Sequence, residues 1–163
     1  MAIFGSRRDI TFFKSINREL IEDVISTQCG YYKVRLGDTQ PNVYGEALTK
    51  YYIGPVLINC LIDRKDFTAK NEEFGPDYSR EIEFRFLKDH LVDANIVPET
   101  GDVIMFQELY YEIDGVNENQ LILGKDNDYA YSEGLENFGS SLSIRCSAHF
   151  ASPDRLGITK QRL

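Results

Sequence analysis

Between residues 80 and 87 the chain alternates without a break. Ile82, Phe84 and Phe86 fall on one side of an extended backbone, and Glu81, Glu83 and Arg85 on the other. A period of two excludes a helix there and requires a sheet with one face against a core. The same period returns at 141–148, where Leu142, Ile144, Cys146 and Ala148 alternate with Ser141, Ser143, Arg145 and Ser147. It returns again at 31–36, with Tyr32, Val34 and Leu36 against Tyr31, Lys33 and Arg35. Residues 103–106 and 110–116 form two strands of a tight hairpin about Gln107-Glu108-Leu109, and 120–123 form a further short strand. Residues 56–62 are apolar almost throughout, behind Gly54-Pro55, which suits a strand covered on both faces. Strands and helices do not alternate, so a parallel βαβ sheet is excluded. The expected class is mainly β (α+β): a small antiparallel β-barrel or sandwich.

Only one segment carries a long period of 3.6. Over 9–28, Phe13, Ile16, Leu20 and Val24 recur at three- and four-residue steps, with Ile21 and Ile25 beside them. Arg18, Glu19, Glu22 and Asp23 take the opposite face. Asp9 is placed to cap this amphipathic helix and Gly30 to end it. A second, short helix is expected over 88–95, with Leu87, Leu91 and Ala94 on one stripe. Residues 63–79 and 124–139 read as long loops, a length that in a compact domain points to function or motion. Val43 to Tyr52 could be one helical turn or an irregular link. The chain thus divides into an arm and helix over 1–30, a small barrel over 31–149 and a C-terminal arm over 150–163.

Charge removes several functions. The 163 residues hold 26 acids and 18 bases, for a net −8. Residues 99–136 hold ten of those acids and one base, Lys125, so the remainder is close to neutral. A protein that grips a duplex needs clustered Lys and Arg to displace counterions, and this chain has no long basic run. A membrane-surface role fails for the same reason. No run of 18 apolar residues exists, so no membrane span is expected. The residues after Met1 lack the apolar core of a signal peptide.

The search for chemistry yields little. His90 and His149 stand alone, and each reads as an ordinary polar or packed side chain. Cys29, Cys60 and Cys146 form neither a metal clip nor a disulfide framework, and read as buried thiols in a reducing compartment. No nucleophile elbow, phosphate loop or EF-hand loop is present. Asp126-Asn127-Asp128 lacks the glycine and terminal glutamate of a calcium loop. Glu81 and Glu83 share a strand face, but nearby Arg80 and Arg85 and the absence of Trp favour a charged outer face over glycosidase chemistry. No catalytic, cofactor or metal residue is assigned. What remains is surface: Tyr78, Tyr129, Tyr131 and Phe138 in the long loops are residue types that build protein interfaces.

Several stretches carry a family resemblance: Pro55-Val56-Leu57-Ile58-Asn59-Cys60-Leu61-Ile62-Asp63-Arg64, Phe74-Gly75-Pro76-Asp77-Tyr78 and Glu81-Ile82-Glu83-Phe84-Arg85-Phe86-Leu87. Pro98-Glu99-Thr100-Gly101-Asp102-Val103-Ile104-Met105-Phe106 then leads into Tyr110-Tyr111-Glu112-Ile113-Asp114-Gly115-Val116. Over roughly residues 43–123 this resembles the neck, or head-closure, proteins of contractile-tailed bacteriophages. The resemblance implies a non-enzymatic virion protein without cofactors, assembled in the host cytoplasm. It would form a ring, expected to be hexameric, that closes the DNA-filled head below the portal or adaptor and offers a docking platform to the tail. DNA would pass through the channel without sequence-specific binding, and no membrane is involved.

On that reading the interface candidates are Phe67, Phe74, Tyr78, Tyr129, Tyr131, Phe138, Arg7, Arg8 and Arg162. The candidates for the lumen or gate are Lys70, Glu72, Glu73, Glu99 and Asp102, since an acidic wall repels DNA phosphates. The helix and the C-terminal tail are candidates for contacts to adaptor or tail. Two alternatives stay open: a tail-terminator or adaptor ring of the same virion, and an unrelated soluble binding domain or hydrolase.

Overall fold

A computed structural model describes residues 7–35, 37, 50–64, 68–72, 75–79, 81–118 and 142–159. The chain is mainly β. Seven strands make one antiparallel sheet: β1 (Gln28–Val34), β2 (Tyr52–Asn59), β3 (Leu61–Arg64), β6 (Glu81–Leu87), β7 (Val103–Phe106), β8 (Leu109–Asn117) and β9 (Ser143–Ala151). Their order is β2-β1-β7-β8-β9-β6-β3. The apolar run at 56–62 is therefore not one strand. It breaks at Cys60 into β2, which pairs with β1, and β3, which pairs with β6 at the other edge.

That break dictates the shape. In a flat sheet of seven strands, the six gaps of ~4.8 Å would set the edges about 29 Å apart. A single residue spans only about 3.6 Å. The sheet must therefore curl until its edges meet at Cys60, whose N–H continues the β1 pairing by donating to Thr27 O at 2.9 Å. Among the described residues no ladder ties β2 to β3, so the curled sheet is not a closed barrel.

Curling encloses the larger core. Tyr31, Ile58, Phe84, Phe86, Ile104, Tyr111, Ile113 and Ile144 fill it, with all three cysteines among them. The strict alternation of β6 works as expected, burying Ile82, Phe84 and Phe86. Part of the sheet is covered on its other face too. Tyr32, Val103, Met105, Tyr110 and Ala151 form a second cluster capped by Leu156, which is why Tyr31 and Tyr32 are both buried. Leu156 belongs to α3 (Pro153–Leu156), a single turn that Pro153 opens and Gly157 closes. The expected C-terminal arm is thus largely fixed: Phe150 and Ala151 complete β9, and α3 packs on the sheet.

Two glycines are conformationally required. Gly54, before a cis peptide to Pro55, has φ +133° and would bring a Cβ to 2.6 Å from Tyr31 O. Here β2 carries an extra residue against β1, a bulge between the Tyr31 and Lys33 positions. Gly101 has φ +91° in the turn closed by Asp102 N–H donating to Glu99 O, a type II arrangement.

Other boundaries differ from expectation. The stretch 63–79 is not a structureless loop. It carries a separate antiparallel hairpin, β4 (Thr68–Glu72) with β5 (Gly75–Ser79). The short helix α2 spans Lys88–Asp93. Helix α1 runs Arg7–Glu19 and continues as a π-helical segment, Leu20–Ile25. Ser26, in the left-handed region, ends it, and its N–H donates to Ile21 O at 3.0 Å. Gly30 sits inside β1 opposite Leu57 and Met105, and Cys29 is a strand residue beside it. The proposed strand 120–123, the loop 124–139 and most of 43–52 lie outside the described residues.

Candidate partner and subunit interface

The N-terminal helix is amphipathic, yet it docks the wrong way round for a residue of the core. The side chains that meet the body are polar. Lys14 Nζ donates to Asp89 at 2.9 Å and Arg18 Nη2 to Asp93 at 2.9 Å, both on α2. Arg18 Nε also donates to Glu22 at 3.0 Å. His90 Nε2 lies 2.8 Å from Glu22 Oε1, a close contact outside hydrogen-bond geometry. Lys14, Arg18 and Glu22 are one turn apart and share a face. His90 is buried under that seam rather than facing solvent. Among the helix's described apolar side chains only Ile21 is buried; Phe12, Phe13, Ile16, Leu20, Val24 and Ile25 are 40–71% exposed. The apolar stripe of the helix faces outward.

The edge strand β2 is similar in character. Ile53, Val56 and Leu57, with Tyr51 just before them, are exposed. One side of β2 pairs with β1, and the other has no strand against it among the described residues.

The described members of the nominated interface and gate set fall at three places: the start of α1, the β4–β5 hairpin and the turn before β7. Arg8 is exposed on the first turn of α1, where Arg7 is the first residue. Lys70 and Glu72 lie on β4 opposite Asp77 and Gly75, and Tyr78 lies on β5 opposite Ala69. The hairpin therefore brings Lys70, Glu72 and Tyr78 onto one ribbon. Phe67, Glu73, Phe74, Tyr129, Tyr131, Phe138 and Arg162 lie outside the described residues.

Glu99 and Asp102 are brought together, but differently from a shared wall. Glu99 is exposed, with its carboxylate 2.8 Å from Lys33 Nζ. Asp102 is fully buried. Its Oδ2 accepts from Tyr31 Oη at 2.6 Å, from Lys33 Nζ at 2.9 Å and from Glu99 N–H at 2.9 Å, while Oδ1 accepts from Val34 N–H at 2.9 Å. Four donors neutralise a buried charge that would otherwise be prohibitive. Asp102 is a core residue that ties β1 to the turn before β7. Burial, then the Asp102 carboxylate, pushes the Tyr31 phenol well above its ordinary range. Two more acids of the described part of that stretch have partners: Glu112 pairs with Lys50, and Asp114 lies 2.6 Å from His149.

A second charged cluster lies across β3, β6 and β9. The register sets Asp63 opposite Glu83 and Arg85 opposite Arg145, two like-charge pairs. The side chains resolve this diagonally. Arg145 donates to Glu83 through Nε at 2.8 Å and Nη2 at 2.7 Å, a bidentate pair. Arg85 donates to Glu83 at 2.7 Å and to Asp63 at 3.0 Å. The Arg145 hydrogen bonds, with those of Arg85, pull the Glu83 carboxyl down to about 2. Glu83 is held by these arginines and is nearly buried, which leaves it unsuited to acid–base chemistry.

Cys29, Cys60 and Cys146 are free, buried and neighbours in the larger core. A contact with Cys60, then burial, raises the Cys29 thiol, and burial raises Cys146 to about 12. Among the described residues no group of three His, Cys, Asp or Glu side chains is arranged to hold a metal, and no helix is long and apolar enough to cross a membrane.

Sequence reasoning missed the Asp102 network and the outward face of α1. A signal for the first existed: a carboxylate between Gly101 and the apolar run Val103-Ile104-Met105 has little choice but to be buried. No signal for the second lies in the periodicity, which defines two faces without saying which one docks. No family model matches the chain, and no curated protein matches it in sequence.

Proposed function

We propose that this chain is a structural, non-enzymatic protein of a phage neck. It forms a ring that closes the filled head below the portal or adaptor and receives the tail, with DNA passing through its channel. The observation that carries the reading is the helix α1, held to the body by its charges with its apolar stripe outward. A large exposed apolar stripe is costly for a chain that works alone, and it suits one that other proteins cover. The motif resemblance over 43–123 supplies the particular assembly. The hairpin β4–β5, a two-stranded sheet of its own, is the natural candidate for a gate or a subunit contact.

Two experiments test this. Locating the chain in an electron-microscopy map of a virion neck also separates a closure ring from a terminator or adaptor ring, because position differs where symmetry does not. Deleting residues 68–79 should leave a folded protomer but particles that lose their genome. Full-titre, DNA-retaining particles from that deletion overturn the gate assignment, and absence of the chain from purified virions overturns the reading itself.

A further inference from the structure

We infer that the apolar stripe of α1 and the apolar edge strand β2 are the two halves of a head-to-tail contact between copies of this chain. The stripe is anchored facing outward. Lys14, Arg18 and Glu22 hold the opposite face of the helix to Asp89, Asp93 and His90, so the helix cannot turn its apolar side inward without breaking that seam. The edge strand β2 offers Ile53, Val56 and Leu57 to solvent. An exposed apolar edge ordinarily invites another strand. Here strand addition is blunted. Pro55 has no N–H to give, and the bulge at Gly54-Pro55 interrupts the ladder. What β2 can accept is side-chain packing, as from a helix laid across it, and among the described residues α1 is a helix with an outward apolar stripe.

The areas agree. From the exposed fractions, the stripe presents roughly 500 Å² and the β2 region roughly 350 Å² of apolar surface, taking ~150–200 Å² as a full side chain. Protein interfaces are about 57% apolar, so this much apolar area implies a contact of about 1,500 Å². That falls within the ~1,200–2,000 Å² of a stable specific interface. Because the two halves are different surfaces, each copy keeps one free half after pairing, and the assembly propagates until it closes. The inference rests on the ring reading only for closure into a neck ring; the contact itself stands on the two faces.

The test is complementation with full-length chains in light scattering after gel filtration. One variant carries Phe13→Glu and Ile16→Glu, the other Ile53→Glu and Leu57→Glu. The wild-type chain is expected to exceed a dimer, and each variant alone to be a monomer with unchanged circular dichroism. Mixed in equal amounts, the variants should give a dimer and no more, since one intact helix meets one intact strand. A monomeric or strictly dimeric wild type, a variant that still assembles, or a mixture that stays monomeric overturns the contact. Should a charged variant lose its circular dichroism, Ile16→Ser and Leu57→Ser repeat the experiment with the same outcomes. A six-chain wild-type mass fits the neck ring; an open filament or another ring number sinks that reading while leaving the contact standing.

Discussion

Asp102 accepts four hydrogen bonds at a fully buried position, three from β1 (Tyr31, Lys33 and Val34) and one from the Glu99 N–H. Removing one partner of such a set leaves the others buried and unpaired, which is where large losses arise. Asp102→Asn should cost about 3 kcal/mol by the urea midpoint, because the amide must present an N–H to one of the donors. Tyr31→Phe removes a single bond to a charged acceptor and should cost about 2 kcal/mol. If Asp102→Asn left the midpoint unchanged, the carboxylate would have no structural role. At this scale the sequence was half legible. The three cysteines read as buried thiols, Cys60 and Cys146 from strand contexts and Cys29 from the end of the helix, and all three are buried, Cys29 on β1. Their meeting in one core was not readable, since it depends on β1, the β2–β3 step and β9 being brought round the curl.

Strands were more legible than their joints. The period of two located β6 to within a residue, because burial on one face imposes it, and the two apolar runs flanking Gln107-Glu108-Leu109 located β7 and β8 as a hairpin. The turn between β7 and β8 is tighter than expected. Gln107 and Glu108 occupy it alone, at φ 51° and 64°, the type I′ geometry that usually takes Asn-Gly. Arg64 steadies it with a 2.7 Å bond to Gln107. Glu108→Gly should relieve the left-handed strain and stabilise the fold by about 1 kcal/mol; a lower melting temperature would contradict this. The clasp on Glu83 fastens β6 to β9 and gives the fold an acid limb. Its folded carboxyl titrates near 2 against an ordinary 4.5, so the clasp contributes fully above pH 4.5 and fades as pH falls toward 2. Glu83→Gln should therefore lower stability by about 2 kcal/mol at neutral pH and flatten the stability profile between those two values. Equal slopes in both proteins there would refute the clasp. The hairpin β4–β5 escaped notice because Lys70, Asn71, Glu72, Gly75 and Pro76 have neither the alternation nor the β-branched content that marks a strand.

The whole molecule was legible as a class and opaque as a topology. Short alternating strands, one long amphipathic helix and no βαβ pattern gave a β-rich antiparallel domain. Nothing local shows that the apolar run at 56–62 serves two edges, since each half is an ordinary strand to its neighbour. Nor does a helical period show that α1 faces solvent with its apolar side; only the charges on α2 decide that, and they lie 75 residues away, beyond any local pattern. The joint at Cys60 also orders events in time. On a chain made from its N-terminus, β2 can find β1 at once, but β3 must wait for β6, and the sheet between the edges is incomplete until β9 ends at Ala151. At ~5–20 residues per second, about 90 residues separate the seam from that last strand, an interval of roughly 5–20 s. Through that interval the nascent chain carries Cys60 and the strands on either side of it without the β9 residues that complete the core around them. Production of this protein in quantity should accordingly respond more to slowed synthesis and chaperone supply than to any change on its finished surface.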